Sequence, residues 1–275
     1  FNDDWKNSIP LLEKEKFKSD PYNINNKLVT KTDIINIMLK LNINNLQINN
    51  IDHYKKAFIH KSYCKLKDYE SFSNNINALP LQSDSYEIYE FLGDSILGQT
   101  ITKYLFLRYN IIYNQNEGFL TQLKNKLVNG DTLGYLASKL DFNKHIIISK
   151  HIEVNCNGRD NKRILEDIFE AFIAAIYLDT NNYDIVEEYI INIFEKYIDF
   201  SELIINDTNY KDQLLRYFQN NYKLQPIYNT IKTEGNKFSS TVYRDTIKLQ
   251  SGVDVTKRKA EQIAAKNTLK KIGLL

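Results

Sequence analysis

Cysteine is scarce: Cys64 and Cys156 are the only two, far apart in the chain and with no CxxC. That argues against a disulfide framework and against a zinc site of the usual spacing. Four scattered histidines do not change this. No apolar run approaches the ~20 residues that a bilayer-crossing helix needs. No signal peptide is read either, so a soluble, intracellular chain is expected, with its compartment open. A disordered tail protein is also excluded. The 275 residues are 43% hydrophobic and 12% aromatic, enough to bury a core in one large or two modest domains.

The small net charge of +2 hides a split. From Thr208 onward there are 13 Lys and Arg against 5 Asp and Glu, or +8. The preceding 207 residues hold 23 basic against 29 acidic residues, or −6. A basic tail on an acidic body suggests a polyanion-binding module attached to something else. Chance asymmetry is the plainer alternative.

Most of the first 200 residues read as helix. "KTDIINIMLKLN" places Ile34, Ile35, Met38 and Leu41 on a helical period, and "IDHYKKAFIHKSY" continues in that style. The polar stretch "LKDYESFSNNINALPLQSDS" reads as a long loop. A long helix follows from about Ser85 to Tyr109, then two amphipathic helices in "EGFLTQLKNKLVN" and "DTLGYLASKLDF". "NCNGRDNKR" reads as a loop. "ILEDIFEAFIAAIYLD" is apolar almost all round and belongs in the core. "YDIVEEYIINIFEKYI" is another amphipathic helix. Near residue 205 the pattern changes to helix, three short alternating segments and a final helix. Residues 1–30 read as an amino-terminal extension, 31–204 as one domain and 205–275 as a second.

The carboxylates are arranged in pairs. Glu90 and Asp94 are four apart, Asp167 and Glu170 three apart, so each pair shares a helix face. Both lie in the most apolar helices, where an uncompensated acid is costly. Side by side, the two helices would pool a formal charge of about −4, which two Mg²⁺ would balance with hard oxygen ligands. A two-metal site of this kind hydrolyses phosphodiesters. The same spacing also occurs on exposed faces paired with lysine, so spacing alone leaves both readings open.

The residues around these acids carry a resemblance. "YEIYEFLGDSILG" resembles the ribonuclease III signature, with its central EFLGD intact as Glu90-Phe91-Leu92-Gly93-Asp94. "EDIFEAFIAAIYLD" is similar to the family's second acidic motif. "AFIHKSY" and "EGFLTQLKNKLVN" match two further family segments in the right order, and the likeness covers about residues 35–200. The resemblance implies an all-α ribonuclease III endonuclease domain that binds Mg²⁺, with Mn²⁺ as a substitute, through Glu90, Asp94, Asp167 and Glu170. Glu170 matches the acid shared by both metals. Glu87 and Glu117 match accessory acids, and Phe91 matches a residue that plugs into the partner of a homodimer. A plain core phenylalanine is the alternative for Phe91. His60 is read as holding its helix rather than as a chemical group. The chain departs from the family in having Tyr86-Glu87-Ile88 where Asn-Glu-Arg is usual, and in a longer loop at 66–85.

In the tail, Thr256 is an expected N-cap, with Lys257, Arg258 and Lys259 in the first turn. Cations there oppose the helix macrodipole and favour a bound anion. "TKRKAEQIAAKNTL" and the α-β-β-β-α order resemble a small α+β double-stranded-RNA-binding domain. The resemblance implies phosphate contacts from Lys257, Arg258 and Lys259, and minor-groove contacts from the Gly235, Asn236 and Lys237 loop. "TEGNKF" lacks the family's Pro and His there, and Leu215-Arg216 replaces a usual Gln-Glu pair. Strong salt dependence of binding is therefore expected.

The reading that follows is a Mg²⁺-dependent endoribonuclease that cleaves double-stranded RNA to 5′-phosphate and 3′-hydroxyl ends, works as a homodimer and has no membrane partner. Two alternatives stay open: a non-catalytic double-stranded-RNA-binding scaffold on a degenerate nuclease fold, and a DNA-directed metallonuclease.

Overall fold

Helix α1 (Lys31–Leu39) starts where Thr30 and Asp33 cap each other reciprocally. In the computed structural model, which describes residues 20–205 and 209–275, the chain divides after Phe200 into two compact units. Ile34, Ile37 and Met38 of α1 face the core of the first unit, and Ile35 is exposed. The pattern named Ile35, but from Ile34 the core stripe runs through i+3 and i+4. Leu41 is buried just beyond the helix end.

Asn50 caps α2 (Ile51–Ala57), which stops at Ala57 rather than running on through "FIHKSY". There the chain extends. Ile147 N–H donates to Phe58 O at 2.9 Å, and His60 N–H donates to Ile147 O at 3.0 Å. Lys61–Tyr63 form a single 3-10 turn that His60 caps, its side chain accepting from Ser62 N–H. His60 thus holds this turn and not a helix, and burial pushes its pKa down to about 4. The 66–85 stretch stays largely irregular, with a 3-10 turn at Lys67–Tyr69, and is fastened where Tyr63 OH donates to Leu79 O at 2.8 Å.

Next come α3 (Glu87–Leu105), passing into a π-helical turn at Phe106–Ile111, then α4 (Glu117–Leu127), α5 (Gly130–Lys139) and α6 (Lys150–Asn155). The six-residue α6 has no buried residue, so it leaves no apolar period in the sequence. Helix α7 (Lys162–Thr180) is buried on almost every side, as its apolar girdle implies. It packs against α2, α3, α5 and α8 (Tyr183–Tyr197). Phe172 of α7 anchors an aromatic nest, with ring centres 4.9 Å from Phe142, 5.5 Å from Tyr189 and 5.7 Å from Tyr54. These edge and tilted contacts add to simple area burial. Short α9 (Phe200–Ile205) follows.

Residues 20–30 pack onto this unit through the buried Tyr22 and Val29 and through polar contacts. Asn23 and Asn26 are buried, and both amides donate to Ile148 O, at 3.1 and 2.9 Å. Asn26 Oδ1 accepts from Ile148 N–H and from Arg159. Residues 1–19 of the amino-terminal extension lie outside the described residues. Among the described residues, no helix is long and apolar enough to cross a membrane.

In the second unit, α10 (Tyr210–Tyr222) precedes strands β1 (Ile227–Thr233), β2 (Lys237–Arg244) and β3 (Ile247–Asp254), and α11 (Lys257–Lys271) closes the unit. The strands form an antiparallel sheet in the order β1-β2-β3. Both helices cover one face, burying Leu214, Phe218, Val242, Ala264, Ala265 and Leu269. Gly252 lets β3 approach α11: a Cβ there would overlap the backbone at Ala264.

Candidate active site and nucleic-acid interface

Helices α3 and α7 cross in backbone contact. A Cβ at Gly93 would overlap the carbonyl oxygen of Glu170, so no residue but glycine permits this approach. Glu90 lies one turn before Gly93 and Asp94 directly follows it, and Asp167 lies one turn before Glu170. The crossing therefore brings the two acid pairs into one electrostatic neighbourhood.

Glu90, Asp167 and Glu170 line a single cavity of about 600 Å³, together with Glu166, Lys162 and Arg163. Asp94 is exposed and lines a neighbouring cavity of about 660 Å³ with Gly98, Thr102, Phe106 and Lys124. Its charge still reaches Glu170. Burial, then the carboxylates of Asp94, Glu166, Glu90 and Asp167, push the buried Glu170 carboxyl up to about 8. Burial also raises Glu90, reinforced by Asp167, Glu87 and Glu166. Asp167 is raised by burial, against a hydrogen bond that its Oδ2 accepts from Tyr86 OH at 2.9 Å.

Two residues here were missed by the sequence reading. Glu166 sits one turn before Glu170, and its pKa is raised by burial and by Asp167. Its i,i+4 spacing to Glu170 was a usable signal. Tyr86 meets an acid 81 positions away, which no local spacing reveals.

The expected accessory acids behave differently. Glu87 is exposed and pairs with Lys61 at 2.9 Å, which holds its carboxyl below the usual range. Glu117, in the first turn of α4, accepts from Thr121 at 2.8 Å and lines neither cavity. Phe91 points outward on α3 and is 78% exposed, with Ile88 beside it at 72%.

The donor set was weighed against a divalent cation. Among the described residues, no three His, Cys, Asp or Glu side chains converge closely enough to hold a metal ion. The chemistry of the set nevertheless fits one. All candidate ligands are hard carboxylate oxygens, and their mutual repulsion is what a cation relieves.

In the second unit, Thr256 caps α11 as expected, accepting from Lys259 N–H at 3.3 Å. Lys257, Arg258 and Lys259 are all exposed in the first turn. Gly235, Asn236 and Lys237 are exposed where β1 turns into β2. The unit thus presents a cationic helix N-terminus and an exposed hairpin tip.

Comparison with known proteins agrees with these two units. Residues 87–181 match the model of the Ribonuclease III domain, and residues 210–272 match the Double-stranded RNA binding motif. The chain is 32% identical over 278 residues to the probable ribonuclease 3 of Acanthamoeba polyphaga mimivirus, covering 96% of this chain and 51% of that protein. It thus spans about half the length of that relative. It is 30% identical over 232 residues to ribonuclease 3 of Leptospira interrogans, covering 82% of this chain and 87% of the relative. A solved nuclease domain of ribonuclease III from Campylobacter jejuni aligns with a TM-score of 0.47 at 25% identity, covering 60% of this chain and 98% of that one. A ribonuclease III domain joined to a double-stranded RNA binding motif defines a class of endoribonucleases. The chain belongs to the ribonuclease III family.

The raised pKa of Glu170 has a consequence for stability. An unfolded chain releases this proton near 4.5, whereas the folded chain keeps it until about 8. The folded state therefore binds more protons in that window, and its stability falls as pH rises through it. In EDTA, Glu170→Gln is expected to melt near the wild type at pH 5 and several degrees above it at pH 8.5. Thermal melts at both pH values check this, and equal melting shifts at the two would contradict it.

Proposed function

We propose that the chain is a divalent-metal-dependent endoribonuclease that cuts double-stranded RNA. The observation that carries this reading is the Glu170 carboxyl, buried at the α3–α7 crossing and held to about 8 among four other acids. A fold gains nothing from crowding five carboxylates, so the arrangement makes sense as a ligand set.

Glu90, Asp94, Asp167 and Glu170 are the residues that would hold Mg²⁺ or Mn²⁺. Bound there, the cation would supply activation of a water for in-line attack and charge stabilisation at the leaving 3′-oxygen, giving 5′-phosphate and 3′-hydroxyl ends. Lys162 and Arg163, at the edge of the same cavity, offset the acid field for an incoming phosphate. Lys61 adds to this, its charge reaching Asp167 and Glu90. In the second unit, Lys257, Arg258 and Lys259 meet phosphates at a helix N-terminus, and the Gly235–Lys237 tip enters a minor groove.

A duplex has two strands to cut, and the reading includes a homodimer with one acid site per subunit. Exposed Phe91 and the 660 Å³ cavity lie on the same helix, α3. A two-fold axis would seat each Phe91 in the other copy's cavity, a self-complementary contact.

Three measurements test this. With Mg²⁺, the wild type is expected to reduce long double-stranded RNA, but not single-stranded RNA or duplex DNA, to short duplexes. EDTA and Glu170→Gln should each abolish cutting while RNA binding persists. Binding without cutting by a folded wild-type chain would favour a scaffold instead. Lys257→Ala combined with Arg258→Ala should weaken binding to all duplex sequences alike and flatten log Kd against log salt by a slope of about 2. A sequence-selective loss would contradict a phosphate role. Phe91→Asp should shift sedimentation from dimer to monomer, and an unchanged dimer would remove Phe91 from the interface.

A further inference from the structure

Tyr86 directly precedes α3 and is 2% exposed. Its backbone is held from both sides. The N–H donates to Ile59 O at 2.9 Å, and the carbonyl accepts from Tyr89 N–H at 2.8 Å and Glu90 N–H at 2.9 Å. Its ring centre lies 5.8 Å from that of His60, which is itself fixed by accepting from Ser62 N–H at 3.1 Å. The phenol then reaches across to α7 and donates to Asp167 Oδ2 at 2.9 Å. Among the described residues, no other hydrogen-bond donor reaches Asp167. One residue thus sets two acids: Glu90 through the main chain, and Asp167 through the side chain.

We infer that Tyr86 is a positioning residue for the acid site, committing one oxygen of Asp167 to the protein and leaving the other for a divalent cation. This rests on the reading of Glu90, Asp94, Asp167 and Glu170 as metal ligands. The physical reason is pre-organisation. A half-buried carboxylate among like charges turns away from its neighbours, and holding it in place before the cation arrives removes an ordering cost from binding. The donor is well chosen. A buried tyrosine with its backbone pinned has few rotamers, so the hydroxyl cannot follow Asp167 if the carboxylate swings. The same position usually carries a shorter Asn in the resembled signature, so this tether is specific to a longer side chain.

A tyrosine placed only for packing would have found Asp167 as the nearest acceptor, and the two cases differ in what a missing hydroxyl changes. The test uses the full chain. Mg²⁺ affinity is measured calorimetrically without RNA, melting is followed in EDTA, and cleavage is followed against Mg²⁺ concentration. Tyr86→Phe is expected to melt cooperatively in EDTA and to bind Mg²⁺ about tenfold more weakly. Its kcat should recover at raised Mg²⁺, with KM for the duplex unchanged. 4-Aminophenylalanine at position 86, which restores a donor at the same place, should restore the affinity. A folded Tyr86→Phe chain with wild-type Mg²⁺ affinity overturns the inference. Should Tyr86→Phe not fold, the aminophenylalanine chain decides, because a folded chain with the donor present but the affinity lost also overturns it. A wild-type chain that neither binds Mg²⁺ nor cuts RNA removes the underlying metal reading. A wild type that does both, beside an indistinguishable Tyr86→Phe, removes only the role of Tyr86.

Discussion

The backbone of α3 meets the backbone of α7 with only the hydrogen of Gly93 between it and the Glu170 carbonyl. A side chain at this position would force the two helices apart. The acids on α3 would then lose the acids on α7, and the cavity that Glu90, Asp167 and Glu170 share would split. The apolar girdle of α7 holds the crossing closed from behind, through Phe169 and Phe172 against Tyr54, Phe142 and Tyr189. Burial that stabilises the fold is therefore the force that compresses the charges. The one is the cost of the other, and the raised carboxyl of Glu170 records the balance.

That balance also explains why cations ring the cavity rather than fill it. Lys61 is engaged by Glu87 at 2.9 Å, and Lys162 by Asp131 at 2.6 Å, so both stand outside the acid cluster. The charge of Lys61 reaches Asp167 and Glu90, but neither ammonium group neutralises Glu170. A structural salt bridge at the centre would have quenched the cluster. Among the described residues, Lys61 and Arg163 offset the outer acids of the cluster, and no cationic side chain is seated against Glu170 at its centre.

Much of this could be read from residue order. The acid pairs, the core position of α7, the helix breaks near Gly130 and Asn161, and the α-β-β-β-α tail all follow from periods of 3.6 and 2 and from capping residues. The acid quartet was legible because each pair is local on one helix. What failed to show was non-local or aperiodic. Ile37 rather than Ile35 faces the core, because the phase of α1 is set by what it packs on. Helix α6 buries nothing, and so has no stripe to detect. The extended run at Phe58–His60 carries a helix-like composition, but is drawn into pairing with Ile147. Tyr86 and Asp167 are joined only by the fold.

Residues 20–30 bear on where this domain begins. Beside the buried Tyr22 and Val29, their hold is polar: Asn23 and Asn26 cover the Ile148 carbonyl, Asn26 also covers the Ile148 N–H and accepts from Arg159, and both Arg159 and the Asn23 amide donate to Glu153. Recognisable motifs start later, at Ala57. A boundary drawn at the first motif helix would strip hydrogen-bonding partners from the main chain beside α6 and strand a half-buried Arg159–Glu153 ion pair. The unit that packs together is thus larger than the unit that carries the chemistry, and its extra length is held by side-chain amides as well as by the buried Tyr22 and Val29.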